Sequence, residues 1–189
     1  MRSFIAVEIG DACRHALEGV IEQLTSIARG VRWVKPDGLH LTLKFIGEMD
    51  EADLPRAIER LQAVAVGSEP FVMGMSGISG FPPRGVPRVI YAELHEPAGV
   101  LAALQKEVEE ALAEELNIAR EDRPFAAHVT LGRTNDRRRC PSMDEIVAAV
   151  AAQDLGRVKV DSFVLMRSQL RPDGAIYTPV HRFPLGRQP

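Results

Sequence analysis

Two hydrophobic spacings alternate along the chain, one typical of strands and the other of helices. Short runs of apolar and β-branched residues predict strands, whereas apolar residues that recur every three or four positions predict amphipathic helices. The predicted strands are residues 4–9, 31–34, 39–46, 71–78, 88–94, 127–132, 158–166 and 176–183. The predicted helices follow apolar positions within residues 17–28, 54–65, 101–116 and 146–151. Both kinds of element are therefore expected from end to end.

Turn and capping residues mark several ends of these elements. Residues 80–85 combine Gly and Pro and predict a surface loop, and residues 171–174 predict the turn between the last two strands. Pro97 predicts the start of the third helix, because proline is favoured in the first helical turn. Ser142 and Glu145 have the spacing of a capping box, which predicts that the fourth helix begins there.

The order of the elements favours an α+β protein with two similar lobes. A pattern of strand, helix and paired strands occurs twice, and strands that follow one another directly favour antiparallel sheets over a doubly wound fold. The length of 189 residues suits one ordinary domain or two small lobes. We therefore expect a single bilobal domain over residues 1–189, in which each lobe has an antiparallel sheet with helices and a cleft lies between the lobes.

Composition and charge narrow the class of protein. Hydrophobic residues make up 46% of the chain, enough for a core and too many for a disordered protein. A net charge of −3 gives no general attraction for polyanions, so any contact with nucleic acid must be local. Cys13 and Cys140 have the spacing of neither a disulfide framework nor a zinc finger. No apolar run reaches the roughly 18 residues of a membrane span, and we expect a cytoplasmic protein that is neither exported nor membrane-inserted.

The pattern H-x-T-L occurs twice, as HLTL at residues 40–43 and as HVTL at residues 128–131. With so few histidines in the chain, coincidence is a poor explanation for two copies. Side chains at positions i and i+2 of a strand share one face. Each copy therefore presents an imidazole and a hydroxyl together, while the residues between them point into a core. One such strand per lobe aims both pairs into a shared cleft.

Two imidazoles and two hydroxyls in one cleft suit acid–base chemistry on a phosphoester. The ordinary pKa of histidine, about 6.5, allows one ring to be neutral and the other protonated near neutral pH. Hydrolysis needs a base for the attacking water and an acid for the leaving oxygen, and threonine hydroxyls can bond the non-bridging oxygens. This chemistry requires no metal.

Other interpretations of these residues stay open. A single H-x-T copy is more typical of a half-buried strand histidine, but the duplication favours a functional role. A zinc site would need a third ligand from His95, His181 or a distant carboxylate, because neither motif contains a cysteine or a carboxylate. Lys44 shares the face of the first motif by strand parity, although a lysine near a strand end is usually solvated, so we leave it outside the site.

The sequence around the two motifs extends the pattern over nearly the whole chain. The stretches concerned are residues 2–9, 31–39 leading into HLTLKFIGE, 80–82, 87–91, 123–125 before HVTLGR, and 168–177. With them, the chain resembles the 2H phosphoesterase superfamily and, within it, the bacterial and archaeal RNA 2′,3′-cyclic phosphodiesterases, also called 2′-5′ RNA ligases. The resemblance implies the bilobal 2H phosphoesterase fold, with a pseudo-twofold axis and a positively lined cleft that holds the cyclic phosphate at an RNA end.

The same resemblance implies roles for five residues. His40 would be the proton donor to the leaving 3′-oxygen and His128 the proton acceptor from water, which leaves a 2′-phosphate end. Thr42, Thr130 and Arg133 match positions that bind the phosphate. A 5′-hydroxyl in place of water would form a 2′-5′ linkage reversibly. No metal, cofactor or obligatory protein partner is implied, and we expect a monomer.

Two further functions stay open at this point. The chain can be a nucleotide- or RNA-binding module without turnover, although both motifs are intact, or an enzyme for a small cyclic or oligonucleotide substrate. Residues 137–139 are three arginines that either guide an RNA backbone or form a solvated loop. Trp33, Phe45, Phe81 and Tyr177 are candidates for stacking on a base.

Overall fold

The computed structural model describes residues 1–96, 99–150, 154–172 and 174–186. Within these ranges the chain forms nine strands and four α-helices. The strands are β1 Arg2–Glu8, β2 Val31–Trp33, β3 His40–Glu48, β4 Phe71–Phe81, β5 Val89–His95, β6 His128–Thr134, β7 Asp154–Val160, β8 Ser162–Arg171 and β9 Gly174–Pro184. The helices are α1 Gly10–Thr25, α2 Leu54–Gly67, α3 Val100–Leu116 and α4 Met143–Ala149.

The strands form one antiparallel sheet with the two motif strands next to each other near its centre. The order is β7-β4-β5-β6-β3-β1-β8-β9, and β2 pairs with β6. The α+β prediction with antiparallel strands is confirmed, and the strands of the two lobes meet where β3 pairs with β6. Only Asp161 separates β7 from β8, although these strands belong to different halves of the sheet. The sheet therefore curls until its halves approach each other.

The helices cover one face of this sheet and leave the other face for the cleft. In β1, Ile5 and Val7 belong to the main core, which also contains buried apolar residues of all four helices. The alternate residues Phe4 and Ala6 form a smaller cluster with Tyr177 and two residues of β8. Because strand side chains alternate between faces, β1 separates the helix-covered core from the cleft.

Each motif strand has a β-bulge directly after its threonine. The register between β1 and β3 skips Leu43, and the register between β5 and β6 skips Leu131. A bulge adds one residue to one strand and reverses the alternation of the side chains beyond it. The extra residue places Lys44 on the helix-covered side, where its side chain is 1% exposed and its Nζ lies 2.8 Å from a carboxylate oxygen of Glu109 in α3. The prediction that Lys44 is solvated was wrong for this reason.

Two predicted element ends differ from the structure. The predicted strand over residues 158–166 is two strands, because β7 pairs with β4 whereas β8 pairs with β1. Apolar residues on both sides of Asp161 hid this break. Strand β4 extends to Phe81, so the predicted loop over residues 80–85 begins two residues later.

The predicted start of the fourth helix agrees with the structure. The capping box of Ser142 and Glu145 is confirmed at the start of α4. Pro97, the predicted helix start, lies outside the described residues, as does Asp173 of the last predicted turn. Among the helices in the described part of the chain, none is long and apolar enough to span a membrane.

Candidate active site

The two motifs lie side by side on the central strands. Leu41 of β3 is opposite Val129 of β6 in antiparallel register, and both side chains are fully buried in the main core. Continuing this register by one residue in each direction sets His40 beside Thr130 and Thr42 beside His128. The two histidines are therefore diagonal neighbours on the cleft face, a relation that in antiparallel sheets corresponds to roughly 7–8 Å.

A backbone carbonyl holds each histidine in the same way. The Nδ1 atom of His40 is 2.7 Å from the carbonyl oxygen of Gly38, and the Nδ1 atom of His128 is 2.7 Å from that of Ala126. A carbonyl oxygen only accepts hydrogen bonds, so Nδ1 must carry the proton. In the neutral ring the lone pair is then on Nε2. Among the described residues, none is hydrogen-bonded to either Nε2 atom.

Each imidazole also lies against a phenylalanine and a tyrosine. The ring of His40 stacks on Phe4 with centroids 4.8 Å apart and meets the edge of Tyr177 at 5.1 Å. His128 has edge contacts with Phe81 at 5.4 Å and with Tyr91 at 5.2 Å. These contacts restrict rotation of both rings. Phe4 and Tyr91 were missed from the sequence, since only strand pairing brings them to the histidines.

Burial changes the titration of His40. Desolvation lowers the pKa of His40 to about 4; its hydrogen bond to the Gly38 carbonyl opposes this effect, and the charge of His128 adds to it. The neutral imidazole is therefore the favoured form of His40 in the free protein at neutral pH.

A cavity of about 490 Å³ contains all five predicted site residues, and we call it the motif cavity. Its walls include both histidines, both threonines and the exposed Arg133. Neither threonine hydroxyl has a hydrogen-bond partner within the described part of the chain, so both are available to a ligand.

The motif cavity also contains two polar residues that sequence reasoning did not single out. Arg2 and Ser168 line it from β1 and β8. Both lie within stretches that matched the family, but neither has a motif of its own.

The candidate stacking residues have different positions. Phe45 is 57% exposed and lines the motif cavity, whereas Trp33 packs against the main core beside Gly132. Phe81 and Tyr177 lie against the histidines, as described above. Of the four candidates, Phe45 therefore presents the most open surface to the cavity.

The predicted alternative of a metal site has no ligand cluster in the described ranges. No group of three or more His, Cys, Asp or Glu side chains there is arranged to hold a metal ion. His95 is hydrogen-bonded to the carbonyl oxygen of Ser76 at 3.2 Å, and His181 packs on Phe183 with ring centroids 4.6 Å apart. Neither candidate third ligand joins the two motif histidines.

Comparison with known proteins gives consistent matches over the chain. The family model of LigT-like phosphoesterases matches twice, at residues 7–91 and 94–177, so each match contains one motif. An RNA 2′,3′-cyclic phosphodiesterase of Archaeoglobus fulgidus is 36% identical over 183 residues, covering 97% of this chain and 99% of that protein. One from Thermus thermophilus is 35% identical over 191 residues, covering 98% and 90%. A crystal structure of a Thermus thermophilus protein superposes with a TM-score of 0.82 at 31% identity, covering 100% of both chains.

The lowered pKa of His40 predicts a change of stability with pH. In the unfolded chain the pKa returns to about 6.5, so the unfolded state binds more protons between pH 6.5 and about 4. The contribution of His40 to the free energy of unfolding is fully present above pH 6.5 and is lost as the pH falls through about 4. This contribution amounts to roughly 3 kcal/mol. His40→Asn keeps a donor for the Gly38 carbonyl and cannot titrate. Urea unfolding at several pH values should show a flatter pH dependence in this variant, and equal dependence in both proteins would contradict the assignment.

Proposed function

The chain belongs to the LigT-like phosphoesterase family, and from this premise we propose that it is an RNA 2′,3′-cyclic phosphodiesterase. It opens the cyclic phosphate at an RNA end to a 2′-phosphate. The observation that carries the proposal is the pairing of the two H-x-T motifs on one sheet face, with both Nε2 atoms unpartnered among the described residues. The curated relatives named RNA 2′,3′-cyclic phosphodiesterase support it, since they align over nearly the whole chain.

The phosphate binds in the motif cavity between the two threonines. The hydroxyls of Thr42 and Thr130 donate hydrogen bonds to its non-bridging oxygens, and the guanidinium group of Arg133 supplies positive charge. In the transition state these oxygens carry more negative charge, so the same contacts strengthen as the reaction proceeds. This site recognises the phosphate by its charge and hydrogen-bond acceptors.

The two histidines transfer the protons. His128 accepts a proton from water at Nε2, the water oxygen bonds to phosphorus, and the bond from phosphorus to the 3′-oxygen breaks. His40 donates a proton from its Nε2 to that 3′-oxygen, and a 2′-phosphate remains. His40 must be protonated for this step, although burial lowers its pKa to about 4 in the free protein. The negative phosphate favours the imidazolium when it binds, because an opposite charge nearby stabilises the charged form.

We also propose four properties of the protein as a whole. Residues 1–189 form one domain, the protein is a monomer, it is located in the cytoplasm, and its activity needs no metal, cofactor or partner protein. The two other functions are binding without turnover and turnover of a small cyclic substrate, and either would give no turnover of the RNA in the following experiment.

The first test identifies the product end. The purified protein is given an RNA oligonucleotide with a 2′,3′-cyclic phosphate in the presence of EDTA, and the product is analysed by mass spectrometry and by digestion with end-specific enzymes. We expect a 2′-phosphate, since proton transfer by two histidines needs no Lewis acid. His15→Ala, at an exposed position of α1, is the matched control and should behave as wild type. A 3′-phosphate product, or no turnover of the RNA, would refute the proposal.

A second test separates the roles of the two histidines. Replacing either by Ala should lower the rate by about 10² to 10⁴, the usual contribution of a general acid or base. A cyclic substrate with sulfur in place of the bridging 3′-oxygen has a leaving group that needs no proton. It should restore turnover in His40→Ala and not in His128→Ala, as measured by single-turnover kinetics. Restoration of His128→Ala instead would reverse the two roles.

A further inference from the structure

Lys44 carries a buried charge that the proposed mechanism does not use. It lies in β3 two residues after Thr42, and its side chain is only 1% exposed. Its Nζ atom donates hydrogen bonds to a carboxylate oxygen of Glu109 at 2.8 Å and to the carbonyl oxygen of Ala119 at 2.6 Å. A carboxylate oxygen of Glu121 lies 3.6 Å away. The ammonium group is therefore both paired and hydrogen-bonded, as a buried charge must be.

The carboxylate of Glu109 in α3 extends this contact to a second backbone group. The oxygen that accepts from Lys44 also accepts from the backbone N–H of Glu121 at 2.8 Å. Burial raises the pKa of Glu109, but the hydrogen bonds from Lys44, from this N–H and from Gln105 outweigh burial and hold the pKa below its usual range. Glu109 is therefore ionised at neutral pH. We call Lys44 and Glu109, with the carbonyl of Ala119 and the N–H of Glu121, the Lys44 cluster.

The Lys44 cluster holds the segment of residues 118–127, which leads from α3 to the second motif. This segment contains neither helix nor strand. Among the described residues, its hydrogen bonds to other elements are one from the N–H of Ile118 to α3, the two of the Lys44 cluster, and one between the carbonyl of Ala126 and His128. Ile118 and Phe125 also pack against the main core. The cluster is thus the polar anchor between these two apolar contacts.

The same segment carries the group that orients His128. The carbonyl oxygen of Ala126 accepts the hydrogen bond of Nδ1, so its position determines which ring nitrogen faces the cleft. Residues 123–126 also line a cavity of about 830 Å³, together with His128 but without His40. The carbonyl that orients His40 belongs to Gly38, in a different segment. A displacement of residues 118–127 would therefore act on His128 and spare His40.

A buried lysine is a costly way to stabilise a fold. Desolvation offsets much of the attraction in a buried ion pair, so apolar residues of similar volume often stabilise a protein equally well. Here the ammonium balances the charge of Glu109, whereas the side chain of Glu121 is 51% exposed and remains solvated. What a charged donor adds is direction, since its hydrogen bonds are short and fix the acceptors in place. The acceptor at Ala119 belongs to the segment before His128.

We propose that Lys44 is a positioning residue for the base His128. This inference rests on the proposed function. Lys44 fixes the segment of residues 118–127 through Glu109 and Ala119, and the segment holds the carbonyl of Ala126 against Nδ1 of His128. Lys44 takes no part in proton transfer and acts through the backbone. Because it lies in β3, the strand of the first motif thereby positions the histidine of the second.

The test combines kinetics with the tautomers of the two histidines in Lys44→Met, which keeps an unbranched side chain and removes the ammonium. At saturating RNA with a 2′,3′-cyclic phosphate end, the rate of hydrolysis should fall about tenfold, less than the roughly 10² that a misplacement of 1 Å can cost. The KM should stay near its wild-type value, because the phosphate-binding groups are unchanged. In the ring ¹⁵N spectrum of the neutral histidines, His128 should gain an Nε2–H form, whereas His40 should keep its proton on Nδ1.

Two further variants separate positioning from stability. Lys44→Met combined with Glu109→Gln leaves no unpaired buried carboxylate, which is the main cause of unfolding when one partner of a buried pair is removed. The carbonyl of Ala119 still loses the ammonium, so both readouts should change as in Lys44→Met. Val20→Ala is the matched control, because it removes buried volume from α1 and lowers the free energy of unfolding. It should leave the rate and both tautomers unchanged.

Three results would overturn the inference. One is a wild-type rate with an unchanged tautomer of His128 in the double variant. Another is an equal change at His40 and His128, and the third is the same change in Val20→Ala, since both would indicate a general loosening of the fold. Failure of the wild type to hydrolyse any cyclic phosphate would instead refute the proposed function. The tautomer of His128 in the variants would then still show whether Lys44 orients this ring.

Discussion

The antiparallel pairing of β3 with β6 is the constraint on which the rest of the site depends. Leu41 and Val129 lie opposite each other and are anchored in the main core, so the flanking histidines and threonines must face the cleft. Residues 40 and 128, far apart in the chain, become diagonal neighbours through this one register. A slip of either strand by one residue would turn its histidine and threonine into the core. Packing on one face of the strands therefore maintains the chemistry on the other.

The surroundings of the two histidines are alike in geometry, since each ring has a carbonyl bound to Nδ1 and two aromatic neighbours. Burial lowers the pKa of His40 to about 4. A proton on His40 is therefore unfavourable until an anion arrives. Under the proposed mechanism, the substrate itself supplies that anion. A second cavity, of about 830 Å³, is lined by His128 and not by His40.

The sequence pattern within single strands was sufficient to predict the residues of the motif cavity that carry the proposed chemistry. Strand parity and duplication singled out His40, Thr42, His128 and Thr130, because a residue pair at i and i+2 is fixed by the strand itself. Arg133 was predicted from its place after the second motif, and it lines the same cavity. These predictions needed only the strand geometry and the family pattern.

Features that depend on tertiary pairing could not be predicted in this way. Parity failed at Lys44, because a bulge is a property of the strand pair and leaves no mark in the alternation of one strand. The turn at Asp161 was hidden because buried apolar residues, among them Val160 and Phe163, lie on both sides of it. The placement of Arg88 and Arg123 in the wall of one cavity likewise depends on how distant segments pack around β6. The orientation of each motif histidine, by contrast, is set by a local contact: the ring has its proton on Nδ1, toward a nearby carbonyl, and its lone pair on Nε2.

Nuclear magnetic resonance of the protein labelled with ¹⁵N at histidine tests this claim most directly, since the ring ¹⁵N shifts and long-range couplings identify the tautomer. The signals are assigned by single histidine substitutions and recorded at a pH where the rings are neutral. The account predicts the Nδ1–H tautomer for both His40 and His128. A proton on Nε2 in either neutral ring would contradict it, because that ring would then have no lone pair directed into the cleft.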